Sequence, residues 1–312
     1  MTVALALLTG TAAVGWFVPG LFRRVDLRRR DPVPLIVAWL LSIAGVVLAV
    51  AAIVTMLLLP EHGPAAGMFA AVHKSWAVLA HGAPPEVEAL TGMLGGAVLV
   101  ALAVRIAIVA TRGRRRRAHR RRANLAVLQL AGRHRDAAGV LWLAHDRPLA
   151  FSMAGRPAVV VATEGLTRHL RADAVAAVLA HERAHLTGRH HLLVAVAQAL
   201  RATLPFVPLF RRAPAAVRDL AELAADVAAV RACGPAAVRN ALLTVTRHGA
   251  PGTALAMAHH AVDLRLDRLS VATRPPGRAR RALACGLTAA AAVTLPFVAG
   301  TGVALGAALI MC

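Results

Sequence analysis

The sequence predicts a mainly α-helical, polytopic membrane protein, with four transmembrane helices and one cytoplasmic domain of helices plus a small β-hairpin and edge strands. Three observations carry this expectation. Hydrophobic residues make up 58% of the 312-residue chain and charged residues only 16%, which excludes disorder and an ordinary water-soluble globule. Four stretches of about twenty mostly uncharged residues can each cross a hydrocarbon core of about 30 Å, at about 1.5 Å per helical residue. The basic residues gather in short runs beside those stretches.

The spans fall at about 2–22, 33–59, 92–111 and 282–311. The first lacks a positive start and runs straight into Arg23 and Arg24, so it reads as a retained anchor and not as a cleaved leader. Arg28, Arg29 and Arg30 continue that basic run. Arg112, Arg114 to Arg117 and Arg120 to Arg122 follow the third span, and Arg274, Arg278, Arg280 and Arg281 precede the fourth. The 60–91 connection holds Lys74 against Glu61, Glu86 and Glu88. Positive residues stay on the cytoplasmic side. Both termini are therefore expected outside a plasma membrane, with 123–281 inside. The organisation expected is 1–122 with three spans, 123–281 as the cytoplasmic domain, and 282–312 with the last span.

This placement gives the net charge of +21 its meaning. An arginine run directly after a span sets topology and meets anionic headgroups, so the bilayer is the expected partner and no direct nucleic-acid contact is expected. Arg105, near the cytoplasmic end of the third span, is expected to snorkel. In the 60–91 connection, 68–79 is helix-like but too short for a folded sensor domain. Cys233, Cys285 and Cys312 have no paired spacing, which excludes a disulfide scaffold and a cysteine-ligated zinc ribbon.

In the cytoplasmic segment, 149–153 and 158–162 read as strands around the turn Ala154-Gly155-Arg156-Pro157. The alanine-rich pattern over 173–186 is helical and carries His181-Glu182-Arg183-Ala184-His185. Two histidines one turn apart project from one helix face toward a single metal. Zinc accepts such nitrogens at about 2.0–2.1 Å and, in a catalytic site, keeps one position for water. Glu182, beside the first ligand, is placed to take a proton from that water as catalytic base and relay it to the leaving amine. One zinc ion per chain is expected.

Such a site needs a third protein ligand. On a second alanine-rich helical pattern, Glu222 and Asp226 stand one turn apart amid apolar residues. Glu222 suits the metal, and Asp226 suits the free ring N–H of a ligating histidine. A rival third ligand is His191, because His181 to His191 also satisfies H-E-x-x-H-x-x-G-x-x-H through Gly188. Against it, an apolar helical run resumes at Leu192, leaving His190 and His191 on a solvated or headgroup side. The run 192–210 contains Gln198, Arg201, Pro205 and Pro208. If it spanned the bilayer, His181 and Glu222 would lie on opposite sides, so it is expected to be buried or membrane-apposed.

Together these residues resemble the membrane-embedded gluzincin peptidases of the beta-lactam sensor–transducer (BlaR/MecR) type. The likeness is strongest over 149–226, where LAFSMAGRPAVVVATEGL precedes AVLAHERAH. It implies zinc bound by His181, His185 and Glu222, Glu182 as base and Asp226 orienting a histidine. It implies proteolysis at the cytoplasmic membrane face, with a protein or peptide substrate such as a DNA-binding transcriptional repressor. A related clan, the CAAX-prenyl and heat-shock membrane peptidases, carries a downstream His with an Arg six residues later. His259 and Arg265 fit that spacing, which implies catalytic oxyanion stabilisation. The chain is expected to lack the extracellular penicillin-binding domain of the better-known sensor–transducers. Other readings of the same residues are a non-hydrolytic signalling scaffold and a quality-control peptidase.

Overall fold

Long alanine-, leucine- and valine-rich stretches form long helices in the computed structural model, which describes residues 2–58, 85–137, 139–249, 255–271 and 277–311. α1 (Thr2–Arg23) and α2 (Pro32–Leu58) precede α3 (Pro85–Ala131). Four short strands follow: β1 (Gly132–Arg135), β2 (Val140–Leu143), β3 (Ala150–Met153) and β4 (Val159–Thr163). The remaining helices are α4 (Glu164–His169), α5 (Ala172–Thr187), α6 (His190–Thr203), α7 (Pro208–Cys233), α8 (Pro235–Gly249), α9 (Leu255–Ser270) and α10 (Arg278–Met311).

Among the described residues, three helical segments are long and apolar enough to cross a membrane: Pro32–Thr55, Gly96–Ala123 and Ala279–Val303. α1 occupies the first expected stretch and packs along α10 and α2. The α1–α10 approach is close enough that a Cβ on Gly10 would lie 2.3 Å from the backbone nitrogen of Gly300. α3 outruns the expected 92–111 span, continuing through the arginine run to Ala131. Arginine is a good helix former, so nothing in that run ends the helix. Arg105 leans off α3 and donates from Nη2 to the carbonyl of Ala202, 3.0 Å away, near the end of α6. The helix-like 68–79 stretch lies outside the described residues.

The sheet runs β1-β2-β4-β3. β3 and β4 form the expected antiparallel hairpin, with Phe151 opposite Val161. β2 lies parallel to β4, pairing Leu141 with Val161, and β1 lies antiparallel to β2. The Gly132–Arg135 and Val140–Leu143 strands were not foreseen, because each is four residues long and Gly-Arg-His-Arg has no apolar alternation. β4 is fully buried, and β3 is an edge.

Among the described residues, two large cores hold the parts together, beside a small cluster around Val159 and Val161. In one, Ala174, Val175 and Ala177 of α5 pack on Val160 and Ala162 of β4, on Ala229 of α7 and on Val238 of α8. In the other, Phe210, Ala213, Val217 and Leu220 of α7 pack against Val14 and Val18 of α1 and Ile36, Trp39 and Ile43 of α2. α7 thus belongs to both, joining the apolar helices to the mixed domain. The run 192–210 splits as its prolines require: α6 stops at Thr203, and Pro208 opens α7 at a position where its missing N–H costs nothing.

Candidate metal centre

α5 is helical because alanines dominate its interior, and its sheet-facing side fixes where its other side looks. His181 and His185, four residues apart, therefore share that other side and turn toward α7. α7 brings Glu222 against them. His181 Nε2 and His185 Nε2 are 3.1 Å apart. Glu222 Oε2 lies 3.4 Å from the first and Oε1 lies 3.6 Å from the second. Ligand atoms at about 2.0–2.1 Å from a tetrahedral zinc stand about 3.3 Å from one another. Three donors meeting at that separation, two imidazole nitrogens and a carboxylate, fit a zinc ion. Among the described residues, His181, His185 and Glu222 are the group able to hold a metal.

Behind the donors, His181 Nδ1 lies 3.0 Å from Asp226 Oδ1. Asp226 is 2% exposed, so this carboxylate has no water to turn to. Arg265, from α9, grips it with two bonds of 2.7 Å, Nε to Oδ2 and Nη2 to Oδ1. Arg265 Nη1 also lies 3.6 Å from Glu222 Oε2. The guanidinium of Arg265 thus meets both Asp226, behind the donors, and Glu222 among them. The side chain of His259, one and a half turns earlier on α9, lies outside the described residues.

His190 and His191 separate. The chain turns sharply after α5 at Gly188 and at Arg189, whose φ of 50° is left-handed. The turn sends His190 back into the structure, 8% exposed, with Nδ1 3.0 Å from His185 Nδ1. His191 is exposed. The expectation that both histidines lie on a solvated side is therefore corrected for His190.

Electrostatics follow from this packing. Burial pushes the His181 imidazole down, but Asp226 and Glu222 more than offset it and raise its pKa from 6.5 to about 9. Burial lowers His185 to about 4, outweighing the opposite pull of the Glu222 carboxylate, and the nearby His181 and Arg265 add to the drop. Burial likewise lowers His190. Glu222 and Asp226 are held below the usual carboxylate range: burial raises each, and the His181 and Arg265 partners outweigh it. Glu182 is raised by burial, although Ser152 of β3 hydrogen-bonds to it. Ser152 was missed in the sequence, where a serine in a short strand carries no signal.

The donors open onto a cavity of about 490 Å³ lined by Glu182, His181, His185, Glu222, Ser152 and Phe151, among others. Arg117 from the arginine run of α3 and Arg218 of α7 stand on its walls. Residues 113–247 match the family model of peptidase family M48. The match supports a metallopeptidase, and peptidases of this family are typically zinc-dependent. It takes in the end of α3, the sheet, α4 to α7 and nearly all of α8, and so all three donors and Asp226, but stops before α9 and Arg265. No curated protein and no solved structure matches the chain.

Proposed function

We propose that the chain is an integral-membrane zinc endopeptidase that hydrolyses peptide bonds at the cytoplasmic membrane face. The observation that carries this reading is the meeting of His181, His185 and Glu222 donors beside Glu182 in one cavity. His181, His185 and Glu222 would hold the ion, and Asp226 would orient His181 through Nδ1. A zinc ion bound there supplies Lewis acidity, polarising a carbonyl and acidifying water. Glu182 supplies the proton transfers. Its raised pKa makes it a better proton acceptor than an ordinary surface glutamate, and it passes the proton to the departing amine. β3 is an edge strand, and Ser152 and Phe151 on it line the cavity. An extended substrate segment pairing with that edge would run its main chain past Glu182.

Three apolar helices support membrane insertion, and the arginine runs support four spans with both termini outside. A transcriptional repressor as natural substrate, with cleavage as a regulatory switch, rests on the sequence resemblance to sensor–transducers. The test is metal analysis and proteolysis on the detergent-solubilised full chain. Wild type is expected to hold one zinc and cleave an unfolded protein substrate. Glu182→Gln is expected to keep the zinc and lose cleavage by at least about 100-fold. A wild type that binds no zinc, or a Glu182→Gln enzyme with full activity, overturns the reading.

A further inference from the structure

Each candidate zinc ligand on α5 has two ring nitrogens, and the structure gives each of them a different neighbour. His181 presents Nε2 to the donor cluster and Nδ1 to Asp226. His185 presents Nε2 to the same cluster and Nδ1 to His190 Nδ1 at 3.0 Å. The two ligands thus have separate outer partners, one from α7 and one from α6. An imidazole that gives its Nε2 lone pair to a metal keeps its proton on Nδ1. His185 Nδ1–H then needs an acceptor, and His190 Nδ1 is the atom in reach.

We propose that His190 is the positioning residue for His185: it accepts the Nδ1–H of His185 on its own Nδ1 and carries its proton on Nε2. This rests on the zinc reading above and goes beyond it. The surroundings are shaped for the arrangement. The two rings meet edge to face, with centroids 4.9 Å apart and planes 88° apart. His190 is buried, at the edge of the cavity that the donors open onto. Its Nε2 lies over Gly188, where an added Cβ would come within 2.5 Å of that atom. A glycine at 188 is what lets the His190 ring lie there. Arg189, in the left-handed region, reverses the chain between α5 and α6 so that the residue five beyond His185 returns to it.

The experiment compares zinc affinities of full-length, detergent-solubilised variants by competition with a chromogenic chelator. His190→Phe keeps a ring of similar volume but offers no acceptor. His190→Asn places a carbonyl oxygen where His190 Nδ1 lies. The expected result is a 10–100-fold loss of affinity in His190→Phe, as for other partners of ligand histidines, with recovery to within about threefold of wild type in His190→Asn. If His190→Phe does not fold, His190→Ala against His190→Asn makes the same comparison. Wild-type affinity in the variant without an acceptor overturns the proposal. So does an equal loss in His190→Asn, which would mean that ring volume matters and the acceptor does not. A wild type that binds no zinc at all would instead overturn the parent reading, and the two failures are distinct.

Discussion

Arg265 and Asp226 face each other through two hydrogen bonds of 2.7 Å, across 39 residues of sequence and from two different helices. The fork of a guanidinium on a carboxylate fixes both groups in one plane, and the carboxylate is then aimed at His181 Nδ1. The consequence is a chain of contacts from α9 to the donor cluster.

Arg265→Ala leaves the Asp226 carboxylate buried with one fewer partner. Breaking a buried pair from one side costs about 3–5 kcal/mol. The metal-free protein is expected to melt at a lower temperature, and zinc affinity is expected to fall about 10–100-fold because His181 loses its fixed orientation. Arg265→Lys, with a point charge in place of the fork, is expected to fall between. Calorimetry and chelator competition check both. If Arg265 acted on the substrate, as the sequence spacing suggested, kcat would fall while melting temperature and zinc affinity stayed at wild-type values.

The part of the site legible in the sequence is the part set by local geometry. His181 with His185, and Glu222 with Asp226, are each four residues apart on alanine-rich helices, so helical periodicity alone puts each pair on one face. The β3–β4 hairpin was legible through its Gly and Pro turn. What the sequence did not disclose depends on tertiary placement. Ser152 reaches Glu182 because β3 packs against α5. β2 sits between β1 and β4 and runs parallel to β4, a long-range pairing that four-residue strands do not announce. His190 did carry a signal, the Gly188–Arg189 break after α5, but the apolar run that follows pointed to a surface position. The shared core of α1, α2 and α7 was hidden for the same reason: α7's apolar face, with Phe210, Val217 and Leu220, reads alike whether it covers a sheet or two apolar helices.

Zinc uptake is expected to release a proton. In the metal-free protein the His181 pKa is raised to about 9, so at pH 7 His181 is protonated on both nitrogens. The metal and the Nε2 proton compete for one lone pair, while Nδ1–H stays with Asp226. His185, lowered to about 4, and the ionised Glu222 release none in this range. Affinity should therefore rise about tenfold per pH unit once His185 is neutral, above about pH 4, and flatten near pH 9. The same shift has the opposite sense for the metal-free fold. A raised histidine pKa stabilises it fully below pH 6.5, and that contribution fades as the pH climbs through about 9. Titration calorimetry in two buffers of different ionisation enthalpy counts the proton. No proton released at pH 7 would contradict the assignment of His181 as the protonated ligand.

The contact between α1 and α10 tests whether the apolar helices and the mixed domain share one stability. Gly10 lies so close to Gly300 that any side chain would meet backbone: an added Cβ falls 2.3 Å from the Gly300 nitrogen and 2.7 Å from its Cα. Backbone cannot rotate aside as a flexible side chain does, so Gly10→Leu must separate the helices, in the way small residues permit close helix packing in apolar surroundings. α1 also contributes Val14 and Val18 to the cluster that contains Phe210 and Val217 of α7, and α7 carries Glu222. Displacing α1 is therefore expected to lower the melting temperature of the whole chain and to weaken zinc binding, although Gly10 lies far along the sequence from the donors. Gly286→Leu, on α10 where an added Cβ meets nothing, is the matched control and is expected to behave as wild type. Thermal melts and chelator competition on the two variants give the answer. If Gly10→Leu leaves zinc affinity at the wild-type value while melting early, the apolar helices and the metal centre are energetically independent.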